Sequence, residues 1–485
     1  SNPTPTPTPR PPTATPTPSS DDESDGPKKP KKPKKPKRVR VPVVAHLTGV
    51  GGTPWRSDLA VTNRNSIAQK LEFTYQPDAG TKAFRTKVLK PYSTVLLKDL
   101  DKNFLGNKDG KGPLQIDVIT DSSVPPSVIS RTYAARDFGT LGSGLPPDVE
   151  PSTGSFTMPG LYHDKEYRSS IAVMAGEDED VSAHFQLYRG LRGGVSGLEK
   201  RDIKAGPLGQ WSVEKLFPGE MREGEPMTVK VILSQPGIAF ATIADNKSTD
   251  SVVYLGKRTA NSWVVPVVAH IPGKDNTVWS STVTLWNGNS ANSEIELEYL
   301  PANTDNLSGG IATAPFLLGG YDTYSLNDVL RKRFGISNGK GVLIVTASKP
   351  ITVTSRVWTD GFKGGTSGNG VRTVHKSELT DGEVVLPGVR MLNGFRTNVG
   401  VVTGEAWATM EFRLRDADGI LLARKFLEVP PRTLKQLSMK SLFGKKLKTM
   451  PDPVGSLVVT NGTEFLAYLT VIDGTSQDPL FVMSR

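Results

Sequence analysis

Trp55-Arg-Ser-Asp-Leu-Ala-Val61 is one of four versions of a single phrase. The others are Tyr167-Arg-Ser-Ser-Ile-Ala-Val173, Trp279-Ser-Ser-Thr-Val-Thr-Leu285 and Phe395-Arg-Thr-Asn-Val-Gly-Val401. Each is an aromatic, a short polar stretch and an aliphatic run. The leading aromatics stand 112, 112 and 116 residues apart. A fixed period means one structural unit used repeatedly. A chain of 485 residues has room for several domains, since one domain takes roughly 100–200.

Working outward from that phrase, the units fall into two kinds. Val41-Pro-Val-Val-Ala-His46 recurs letter for letter at Val265–His270, an offset of 224. Pro159-Gly160 answers Pro387-Gly388 at 228, and Ala239, Thr242, Asp245, Ser248 and Asp250 answer Ala467, Thr470, Asp473, Ser476 and Asp478 at the same offset. The order is A-B-A′-B′, with boundaries at 41–150, 151–262, 263–378 and 379–485.

Each unit reads as strands. Leu71-Glu-Phe-Thr-Tyr75, Ile295-Glu-Leu-Glu-Tyr299 and Thr409-Met-Glu-Phe-Arg-Leu414 alternate apolar and polar residues, the period of a half-buried antiparallel strand. Asp416-Ala-Asp-Gly419 reads as a hairpin turn. One short helical segment per unit ends in Phe and Gly, clearest at Leu326–Phe334 with Gly335 as its cap. The expectation is an all-β chain of four tandem immunoglobulin-like β-sandwich domains. The glycine-rich stretches 139–144 and 364–370 read as loops or linkers. Trp55, Tyr167, Trp279 and Phe395 read as core plugs, because a residue present in every unit serves what the units share. Sugar stacking is the alternative for aromatics, with Trp263, Trp286 and Trp407 as further candidates.

Residues 1–40 form an extended Pro/Thr/Lys-rich N-terminal tail with 12 of the 38 prolines. Thr-Pro repeats and an acidic patch (Asp21, Asp22, Glu23, Asp25) precede Pro27-Lys28-Lys29-Pro30-Lys31-Lys32-Pro33-Lys34-Lys35-Pro36-Lys37-Arg38. The Pro-Lys-Lys period matches the roughly three residues per turn of polyproline II. Prolines then share one edge and lysines the other two. Seven Lys and three Arg against four acids put +6 of the net +10 in the tail. Residues 27–38 are therefore the expected interaction segment, toward a second copy or an anionic envelope polymer.

The absences are informative. There is no Cys, so no disulfide framework, thiolate metal site or cysteine nucleophile. The five His (His46, His163, His184, His270 and His375) form no His-Glu-x-x-His pair. Asp99-Leu-Asp101-Lys-Asn103 starts like a calcium loop but has Phe104 sixth and Gly110 twelfth, where that loop needs Gly and Glu. No Gly-x-Ser-x-Gly elbow, phosphate loop or membrane-length apolar run is present. Outside the tail there is no basic stripe with interleaved aromatics for specific nucleic-acid binding. No cofactor is expected, and the chain reads as a non-enzyme.

The blocks Val41–His46 and Trp55-Arg-Ser-Asp-Leu-Ala-Val-Thr-Asn63, with the later Ser130-Arg-Thr-Tyr133, resemble tandem β-sandwich repeats of secreted proteins from Acidobacteria-like bacteria. That resemblance covers residues 41–378 best. It implies export to the cell surface or exterior and a tandem sandwich fold. It brings no catalytic residues. The functional expectation is a rod-like subunit of an extracellular fibre or surface layer, with the tail mediating attachment or subunit contact. The alternatives are a glycan-binding adhesin and an accessory module of an exported hydrolase.

Overall fold

A computed structural model describes residues 37–485, apart from 79–80, 108, 121–123, 138, 146–149, 177–178, 192–193, 274–275, 362–363, 392–393, 445–446, 448–453 and 484–485. The chain is all-β. Pro27–Pro36 of the expected interaction segment lie outside the described residues.

The strands fall into four consecutive groups, spanning residues 38–145, 152–255, 260–371 and 383–483. Every ladder joins strands of one group. The fourth group has two separate four-stranded sheets, with Phe412, Leu414, Leu457, Val399, Ala467 and Leu469 among the side chains packed in its core. In the third, the 22-residue strand Gly339–Asp360 pairs on both sides and curls one continuous sheet over its own core.

Local sequence explains these elements. Gln69–Tyr75 buries Gln69, Leu71, Phe73 and Tyr75 and exposes Lys70 more than any other residue. The repeated Val-Pro-Val-Val-Ala-His hexapeptide opens the first and third groups. The ladder there slips between Val41 and Val44, and again between Val265 and Val268. Proline has no N–H to give to a ladder, so Pro42 and Pro266 sit where a bulge is needed. The predicted helical segments appear as single turns at Asp101–Leu105, Val213–Leu216, Val329–Phe334 and Met439–Phe443. Ser212 and Ser438 cap two of them through their hydroxyls.

Two expectations are corrected. Stretch 139–144 and residues 366–370 of the second stretch are not linkers, because Gly139–Leu145 and Thr366–Val371 are strands. Their glycines allow close strand contact. A Cβ on Gly142 would stand 2.2 Å from the Thr132 carbonyl oxygen, and one on Gly368 2.3 Å from that of Val357. These two strands meet Ser251–Leu255 and Pro479–Met483 at the centre of the body, in the cyclic order first, second, third, fourth, first. The body is therefore not an open rod. Residues 37–485 form one compact unit in which the fourth group packs on the first.

Paired aspartates lock this closure. Thr140 donates to Asp473 Oδ2 from both its N–H (3.0 Å) and its hydroxyl (2.7 Å). Thr366 does the same to Asp245 Oδ2, at 2.7 and 3.0 Å. Gly142 and Gly368 N–H groups donate to Asp478 and Asp250 at 2.9 and 2.7 Å. The joins between groups four and one and between groups two and three are thus the same join used twice. Asp245 and Asp473 do make turns, as loop residues often do. Their second carboxylate oxygens reach across to another group.

Candidate functional site

The other two joins, between groups one and two and between three and four, are not sealed in this way. Each holds a groove. The first has about 540 Å³ of free space and the second about 320 Å³. By contrast, a cavity beside Phe395 at the join of groups four and one holds about 30 Å³.

One wall is built by the repeated hexapeptide strand. Ala45 lies opposite Lys111 on one neighbouring strand, and Leu47 opposite Trp55 on the other. Residues two apart in a strand share a face, so Lys111 and Trp55 flank the same surface. The copy repeats this: Ala269 faces Lys340, and Ile271 faces Trp279. Each indole rests on a glycine. A Cβ on Gly49 would stand 2.6 Å from Trp55 Nε1, and one on Gly273 2.5 Å from Trp279 Nε1.

The facing wall comes from the next group. Arg168, Ser170 and Gln210 line the first groove, and Arg396, Asn398 and Gln436 the second. The lysines bridge the walls: Lys111 Nζ donates to Gln210 Oε1 at 2.6 Å and Lys340 Nζ to Gln436 Oε1 at 3.0 Å. The floors are apolar, with Leu145 and Val253 in one and Val371 and Phe481 in the other.

The electrostatics are one-sided. No carboxylate lines either groove among the described residues. Burial holds the Lys111 and Lys340 ammonium groups below the usual lysine range, with Asp78 opposing this at Lys111. Burial also lowers Arg168, against the pull of Asp245. These are partly buried cations without a carboxylate neighbour in the groove, a state that favours a ligand rich in acceptors. No group of three or more His, Asp or Glu placed to hold a metal ion occurs among the described residues.

The four repeated aromatics divide: Tyr167 and Phe395 pack against the cores of their groups, while Trp55 and Trp279 line the grooves. Trp55, Tyr167, Trp279 and Phe395 are all only partly buried. The aromatic stands at the first or second position of its strand in every group. Trp55 and Trp279 face the two grooves. Tyr167 packs beside Tyr162, and its hydroxyl stands 3.4 Å from Thr366 Oγ1. Phe395 lies under the Arg390 guanidinium, 3.4 Å from the ring centre. Trp263 and Trp286 are fully buried, and of the further candidates only Trp407 is exposed.

The described end of the tail is also reassigned. Arg38 belongs to the strand Arg38–Thr48, and its Nε donates to Asp117 Oδ1 at 2.7 Å. Lys37 accepts a backbone hydrogen bond from Val118. His46 and His270 tie their strands to helical turns through Asp99 (2.6 Å) and Asp328 (2.8 Å).

Sequence reasoning missed Lys111, Gln210, Lys340 and Gln436. The signal was present: Gly110-Lys-Gly112 recurs at Gly339-Lys-Gly341. It is short, and only the fold brings it beside the tryptophan.

The chain matches no protein-family profile and no curated protein. A solved structure described as a tetra-tandem repeat in the extending region of a large adhesion protein aligns over 90% of this chain and 96% of its own, at 12% identity. Its TM-score is 0.11, so nothing about this chain is argued from it.

Proposed function

We propose that this is a non-enzymatic exported protein of the cell exterior that holds carbohydrate at two equivalent grooves. The observation that carries this reading is the duplicated groove itself: a tryptophan on a glycine platform, an apolar floor and converging Lys, Arg and Gln side chains. Ligand sites have this composition, a concave apolar surface with a few placed polar groups. An aromatic face stacks on the C–H face of a sugar ring, and the amide and cationic groups meet its hydroxyls. Each strand group is read as one immunoglobulin-like sandwich, at 41–150, 151–262, 263–378 and 379–485. Export follows the resemblance to secreted tandem repeats.

In this reading the body is a rigid bivalent block, and the tail attaches it to a second copy or to an anionic envelope polymer. The test is retention of the full chain on immobilised polysaccharides, beside Trp55→Ala/Trp279→Ala. Retention lost in the double variant, with melting unchanged, supports the reading. A chain that no polysaccharide retains, or a double variant retained like the parent, removes it. Separately, loss of attachment on deleting residues 1–36 tests the tail.

A further inference from the structure

Charge sorts the possible occupants of the grooves. We infer that each groove binds an acidic saccharide, with the carboxylate of a uronic-acid-type residue at Lys111 or Lys340 and the sugar ring against Trp55 or Trp279. This deepens the carbohydrate-binding reading and rests on it.

Three observations converge. First, neither lysine has an ion-pair partner among the described residues, and each makes its hydrogen bond to a neutral amide. An ammonium has three donors, so this bond leaves others to offer. Second, the grooves exclude carboxylates while Arg168 and Arg396 stand on the facing walls. Arg168 donates to Asn246 Oδ1 at 2.7 Å and Arg396 to Gln477 Oε1 at 2.6 Å. The acids that act on Lys111 and Arg168, Asp78 and Asp245, stand outside the groove lining. Third, the arrangement occurs twice with the same register: Lys opposite Ala and Trp opposite the apolar residue two positions on. Other polar positions differ between the copies, as Ser170 against Asn398 and Ser143 against Asn369 show. The lysine and tryptophan do not.

A neutral sugar would bring these partly buried cations no counter-charge inside the groove. A nucleic acid would need a continuous basic path along its backbone, whereas these cations form two separate clusters between strand groups. A carboxylate beside an apolar ring face matches the lysine-and-indole pair that both grooves share, Lys111 with Trp55 and Lys340 with Trp279.

The experiment is isothermal titration of the full-length protein with an oligogalacturonate, a neutral oligosaccharide of equal length and a short single-stranded oligonucleotide. Parallel titrations use Lys111→Met/Lys340→Met. The expected result is two equivalent sites per chain for the oligogalacturonate, weakened by added salt. The double variant should lose at least about tenfold in affinity, the loss expected for one charge-assisted hydrogen bond. Its melting temperature should stay close to the parent's, which separates lost binding from lost folding. Equal binding of the neutral sugar, unaffected by the lysine changes, overturns the acidic-ligand inference and keeps carbohydrate binding. Preferred binding of the oligonucleotide overturns both. So does an absence of binding by either sugar. A stoichiometry of one overturns the equivalence of the grooves.

Discussion

Arg131 Nη2 donates to Asp478 Oδ2 at 2.8 Å across a sequence separation of 347 residues. Both side chains are almost wholly withdrawn from solvent. The first strand group is thereby fastened to the last, and the pseudo-equivalent Arg356 approaches Asp250 at 3.7 Å. Burial, with Asp478 as the next contributor, raises the Asp250 carboxyl, and burial raises Asp478 against the pull of Arg131. Two acids and two guanidiniums thus share the interior where the groups meet.

Breaking that contact has an asymmetric consequence. Arg131→Met leaves Asp478 buried without its cation, and such a loss costs about 3–5 kcal/mol. Arg356→Met costs less, because its contact is longer. Calorimetric unfolding of both variants at pH 7 checks this. Equal losses, or none, would contradict the assignment of the shorter pair as the tighter fastener.

Stability depends on pH through buried acids. Asp101 is fully buried and accepts from the Tyr75 hydroxyl at 3.1 Å. Burial outweighs that bond and pushes its carboxyl from 3.8 up to about 7. The folded state therefore holds this proton more tightly than the unfolded state. Its contribution is full below about pH 4 and is lost as pH rises through about 7. The melting temperature should fall between pH 5 and pH 8, with Asp250 and Asp478 acting in the same sense. Asp101→Asn should flatten the decline. Parallel profiles for parent and variant would remove Asp101 as a contributor.

The Pro-Gly repeats sit at joins between groups. Gly160 has φ +86° and Gly388 φ +78°, values that cost a side-chain-bearing residue about 1–2 kcal/mol. A Cβ on Gly160 would also meet Thr284 Oγ1 at 3.0 Å, while the nearest atom to one on Gly388 is Ala60 Cβ at 3.4 Å. Alanine at either position should lower the melting temperature, more at 160 than at 388. The reverse order would show that contact across the join is not what matters.

Two tryptophans read alike in sequence separate cleanly. Trp263 is 1% exposed and its indole N–H donates to the Ile351 carbonyl at 3.0 Å. Trp407 is 54% exposed. Trp263→Ala should cost about 3–5 kcal/mol, and Trp407→Ala no more than about 0.5 kcal/mol. Urea unfolding of both variants gives the comparison.

Much of the architecture was legible because it rests on local rules. Alternation in Leu71–Tyr75 announces a strand with one buried face, and the strand Gln69–Tyr75 has one. Gly335, at φ +70°, ends its helical turn as expected. The glycine-rich stretches were misread because glycine looks the same in a loop and in a strand that another backbone must approach closely. The leading aromatics divide for a related reason, with Tyr167 and Phe395 against their cores and Trp55 and Trp279 in the grooves. Repetition shows that a residue matters to every unit, but not which way its ring faces.

Composition, period and alternation thus set the all-β class, the four-part organisation and its alternating kinds, since each depends on neighbours within a few residues or on plain self-similarity. The closing of the fourth group on the first, the aspartate fasteners and the lysine beside each tryptophan were decided only in three dimensions. Thr140 and Asp473, or Lys111 and Gln210, become partners when strands from different groups are laid side by side. A hydrogen bond requires its atoms within about 3 Å, and no spacing along the chain encodes that distance.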